Sequence, residues 1–84
     1  MRGEKGLLDR LQRNPKTHFD LILRVTGSAA DAASGLTQRG IIVRRTLSLT
    51  NSLSISATGA QASQLAREPW AESLEEDKPV RALH

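Results

Sequence analysis

Residues 41 to 58, IIVRRTLSLTNSLSISAT, hold two runs in which apolar and polar side chains alternate, with a polar step between them. A period of two puts every second side chain on one face of a pleated strand, so each run reads as a strand and the pair as a β-hairpin. Ile41, Val43, Leu47 and Leu49 form the apolar set of the first run, and Leu53, Ile55 and Ala57 that of the second. Arg44, Thr46, Ser48, Thr50, Ser54 and Ser56 fall on the opposite face. Asn51 and Ser52 lie between the runs, and Asn tolerates the positive φ that tight hairpin turns require. A sheet built on this hairpin keeps one polar face free, and function is expected there.

The flanking chain supplies the other elements. Phe19, Leu21, Leu23 and Val25 alternate with Asp20, Ile22, Arg24 and Thr26, which predicts a first strand from His18, ended by Gly27. Ser28 followed by Asp31 has the spacing of a helix N-cap with an acidic partner in the first turn. Ala29, Ala32, Ala33 and Leu36 then draw one apolar stripe down a helix that Gly40 terminates. Gly35 in its middle costs about 1 kcal/mol relative to Ala. After the hairpin, Thr58 and Gln61 repeat the capping spacing, Ala62, Leu65 and Ala66 share a helical face, and Pro69 stops the helix. Trp70 through Asp77 read as a last strand with Leu74 inward. The order β-α-β-β-α-β predicts an α+β, ferredoxin-like sandwich: a four-stranded antiparallel sheet with two helices on one face. Residues 1 to 17 stand outside this pattern. Leu7, Leu8 and Leu11 can make a turn or two before Asn14-Pro15, so the segment reads as an N-terminal arm, disordered or a short helix. A domain at 18–77 and an extended tail at 78–84 follow it.

Composition narrows the function classes. The chain has 84 residues with one Phe, one Trp and no Tyr, so a single small domain of marginal stability is expected. The absence of cysteine removes disulfides and thiolate metal sites. No apolar run is long enough to span a membrane, and residues 1 to 17 lack the uninterrupted apolar segment of a signal peptide, which implies a cytoplasmic protein if the chain is complete. Residues 1 to 67 carry ten Lys/Arg against four Asp/Glu, whereas residues 68 to 84 carry two against five. The basic excess invites a nucleic-acid-binding ferredoxin-like module as the alternative reading. Against it, the arginines are scattered and no aromatic sits among them to stack on bases. His18 and His84 are far apart, the serines occupy outward strand positions, and no glycine-rich phosphate loop is present. Neither an enzyme nor a cofactor is expected.

The acidic run and the tail after it are more specific. VRRTLSLTNSLSI at 43 to 55, the helix followed by EPW at 68 to 70, and SLEEDKPVRAL at 73 to 83 occur in an order and spacing that resemble the propeptides of subtilisin-type serine proteases and the small free-standing inhibitors related to them. The resemblance covers roughly residues 18 to 83. It implies a partner, a subtilisin-like serine protease, and a role as inhibitor and folding chaperone, with the free protein a monomer. In that family the open sheet face packs on two helices of the protease, and acidic residues ending the last strand cap their N-termini; Glu75 and Asp77 match those positions. The family's tail runs extended into the protease cleft, which would put Leu83 before the scissile bond, Ala82 at the narrow second position and Val80 at the apolar fourth, with Arg81 facing solvent. The chain departs from the pattern in having no counterpart for its N-terminal arm and Leu47 where the family usually has an aromatic. With no protease domain in these 84 residues, a free-standing inhibitor, a separately encoded folding helper or an excised propeptide is expected.

Overall fold

The computed structural model describes residues 2–3 and 6–77. In chain order its elements are β1 (Arg2–Gly3), α1 (Leu7–Arg13), β2 (His18–Val25), α2 (Ala29–Gln38), β3 (Ile42–Leu47), β4 (Ser52–Thr58), α3 (Gly59–Leu65) and β5 (Ala71–Glu76). The strands form one sheet in the order β1-β5-β2-β4-β3. Its four long strands are antiparallel throughout, in the order of a small ferredoxin-like α+β fold, and β1 adds a short parallel pairing on β5.

Local chemistry explains where the helices begin and end. The Ser28 hydroxyl accepts the Asp31 N–H at the start of α2, and Thr58 with Gln61 forms a reciprocal capping box at the start of α3. α2 closes with Gly40 at φ +80°, where the Ile41 N–H donates to Leu36 and the Gly40 N–H to Thr37. Those two bonds make a Schellman end, and Leu36 and Ile41, which the motif brings together, are both buried. The core lies on one side of the sheet. Leu21, Leu23 and Val25 of β2, Leu53, Ile55 and Ala57 of β4, and Leu74 of β5 meet Ala29 and Leu36 of α2 and Ala62 and Leu65 of α3 in a single cluster.

The expectation of two helices is corrected to three. Residues 1–17, expected as an arm, contribute β1 and α1, whose Leu7 and Leu11 are fully buried in the same core. α1 lies against α3. The approach is close because Gly59 has no side chain: a Cβ there would collide with the backbone carbonyls of Leu11 and Asn14.

The hairpin is corrected as well. Val43 pairs with Ile55 and Arg45 with Ser54, so Arg44 is an extra residue in β3 and the register shifts there. A bulge of this kind turns every later side chain to the other face. Leu47, expected in the core, therefore stands opposite Ser52 on the uncovered face and is 37% exposed. Leu49 lies beyond the strand, in the turn, and is fully exposed. The turn occupies residues 48–51 rather than 51–52, and Ser52 belongs to β4. Asn51 adopts φ +52°, and its side-chain amide donates to the carbonyls of Val25 and Gly27, both at 2.6 Å, tying the hairpin tip to the end of β2.

Candidate functional site

The face of the sheet opposite the helices is assembled from three cross-strand rows. Strand register places Glu75, Ile22, Ser54 and Arg45 in one row and Ser73, Arg24, Ser52 and Leu47 in the next. The third contains Asp20, Ser56 and Ile42, and Asp77 joins it because its N–H donates to the Asp20 carbonyl at 2.8 Å, extending the antiparallel ladder one residue past β5. Glu75 and Asp77 are two residues apart on that ladder, so both carboxylates rise on the open face, and both residues are exposed. Leu74 and Glu76 turn to the opposite side.

Relief on this face comes from side-chain size. Ser52, Ser54 and Ser56 are buried although no helix covers them, because β4 is flanked by longer side chains on β2 and β3. The result is a shallow serine-floored trough between Ile22 on one side and Ile42 and Leu47 on the other. Neighbouring strands lie about 4.8 Å apart, so these walls stand on strands about 10 Å apart. An α-helix with its side chains is about 10–12 Å across. That is no narrower than the spacing of the walls, so a helix would rest along the rims of the trough rather than sit down between them.

Charge on the face is polarised. Asp20, Glu75 and Asp77 gather at the corner where the chain leaves β5, and the bulged Arg44 reaches across β4 to Asp20 at 3.0 Å. Arg24 lies in the row nearest the hairpin tip, with Arg45 one row away. No aromatic residue lies on this face among the described residues. Nor do any three His, Asp or Glu side chains among them lie where they could hold a metal ion. No helix among them is long and apolar enough to cross a membrane.

Of the residues picked out from sequence, Glu75 and Asp77 are brought together on the open face, while Val80, Ala82 and Leu83 lie outside the described residues. Sequence reasoning missed Ile22, Ile42 and Leu47 as apolar contacts of this face. Ile22 and Ile42 carried a signal, since both are apolar at positions out of phase with the core set. Leu47 carried none, because the bulge that turns it outward has no mark in the alternation. A separate cleft of about 290 Å³ lies between α2 and Trp70, lined in part by Asp31, Gly35 and Arg39, and neither Glu75 nor Asp77 borders it. No family model, curated protein or solved structure matches the chain.

Proposed function

We propose that the chain is an inhibitor, and a folding chaperone, of a subtilisin-like serine protease, docking through the open sheet face and sending residues 78–84 into the active-site cleft. The observation that carries this reading is the acidic corner: Glu75 and Asp77 stand on the uncovered face at the point where the chain leaves the sheet. A helix N-terminus presents unpaired N–H groups and a positive dipole, so each carboxylate contributes about 0.3–1 kcal/mol against one, and more where partly buried. The serine trough supports the same reading, since a helix resting along its rims would have its positive end towards Asp20 and Asp77 and its negative end towards Arg24. The tail beyond Asp77 then adds a strand in the cleft, its backbone supplying hydrogen bonds and alternate side chains filling pockets. The nucleic-acid reading is the weaker one, because the open face offers no stacking platform and Arg44 is already paired.

Titration against subtilisin with a chromogenic peptide tests the proposal. Removing Val80–His84 is expected to abolish inhibition while sheet-face binding stays measurable. Leu83→Asp is expected to weaken inhibition at least tenfold, because burying such a side chain is worth about 1.5–3 kcal/mol. A truncated protein that inhibits as well as the parent across several subtilisin-like enzymes would overturn the mechanism. Salt-dependent binding of oligonucleotides by the parent would then favour the basic-module reading.

A further inference from the structure

β5 carries the acidic pair, and among the described residues its outer edge is paired with β1 at Ser73 and Leu74. Its last residues are held by the ladder to β2 and by a contact from outside the sheet. That contact comes from α1, where the Arg10 guanidinium donates to the Glu76 carboxylate and forms an ion pair with it. α1 is held by contacts besides the ion pair: Leu7 and Leu11 are buried in the core, the helix rests on α3 across Gly59, and the Asn14 amide donates to the Arg10 carbonyl at 2.8 Å. Arg10 therefore starts from a fixed backbone.

Glu76 stands between Glu75 and Asp77 on a strand whose side chains alternate. Holding Glu76 down on the helix side holds its two neighbours up on the open side. A β5 end free to twist would lose that alternation first at Asp77, where a single ladder bond to Asp20 is the last before the tail.

The geometry points to a positioning role for the N-terminal segment: Arg10, through Glu76, clamps the end of β5 and so sets the orientation of Glu75 and Asp77. This inference rests on the proposed docking for its effect on a partner, but the clamp itself is a property of the free protein. Both side chains of the ion pair are partly exposed, so the effect is modest in size.

The experiment uses the full chain with Arg10→Ala, Glu76→Ala, the two combined, and Arg10→Lys. Amide hydrogen exchange is followed residue by residue in the free protein, and inhibition of subtilisin is measured in parallel. Arg10→Ala and Glu76→Ala are each expected to speed exchange at Asp77 selectively and to raise the inhibition constant two- to fivefold. The double variant should be no worse than Arg10→Ala, and Arg10→Lys should retain part of the effect. Unchanged exchange at Asp77, or exchange that rises across the whole domain in step with a lower melting temperature, would overturn the clamp. Faster Asp77 exchange with undiminished inhibition by the variant would uphold the clamp and overturn its effect on the partner. If the parent inhibits no subtilisin-like enzyme, the proposed function fails, and exchange at Asp77 still decides whether the clamp exists.

Discussion

Leu47 and Leu65 are the same residue in opposite surroundings. Leu65 is completely buried between α3 and the sheet, whereas Leu47 stands partly exposed at the rim of the serine trough. Truncating a buried leucine removes its transfer free energy and leaves a cavity, so Leu65→Ala is expected to cost about 2–5 kcal/mol. For a small domain that is a large share of the total stability. Leu47→Ala leaves no cavity and should cost under about 1 kcal/mol. Urea denaturation of both variants checks the difference. A loss for Leu47→Ala equal to that for Leu65→Ala would return Leu47 to the core and remove the register shift at Arg44. The alternation of the hairpin was legible in the sequence up to Val43. Beyond it, one extra residue reversed the faces of the rest of β3, while Leu53, Ile55 and Ala57 of β4 kept the expected ones.

The helices show how far local chemistry carries an element. Capping by Ser28, Thr58 and Gln61 and the Gly40 end of α2 follow from backbone groups that need partners, and such needs are visible in a short window of sequence. Two glycines look alike in that window and behave differently in space. A Cβ at Gly35 meets nothing within 4 Å, so Gly35→Ala should stabilise α2 by about 0.5–1 kcal/mol through the entropy of the unfolded chain. A Cβ at Gly59 would strike backbone carbonyls of α1, so Gly59→Ala should destabilise the domain and push α1 away from α3. Thermal melts of opposite sign are the expected result. A stabilised Gly59→Ala variant would mean that α1 does not rest where described.

For the molecule as a whole, the open face combines an acidic corner, a trough and a basic end, assembled from the hairpin β3–β4 and two strands, β2 and β5, distant from each other in sequence. Replacing Glu75 and Asp77 together by Ala should leave the melting temperature unchanged, because both side chains are solvent-exposed. It should also weaken protease binding by about three- to thirtyfold, the product of two carboxylates each worth about 0.3–1 kcal/mol at a helix N-terminus. An inhibition constant equal to the parent's would show that these carboxylates meet no helix N-terminus in the complex.

Periodicity, capping residues and helix-stopping residues determined the type and order of all six central elements and hence the α+β class, because each depends on side chains a few positions apart. The facing of β3 beyond the Arg44 bulge obeyed the tertiary structure instead: pairing with β4 settled which face Leu47 took. Tertiary structure also decided the fate of residues 1–17. Leu7 and Leu11 make too short an apolar stripe to hold a helix in isolation, since a short helix costs more to nucleate than its few hydrogen bonds return. They gain that stability only by burial against α3, where a glycine forty-five residues beyond Asn14 leaves room for the approach.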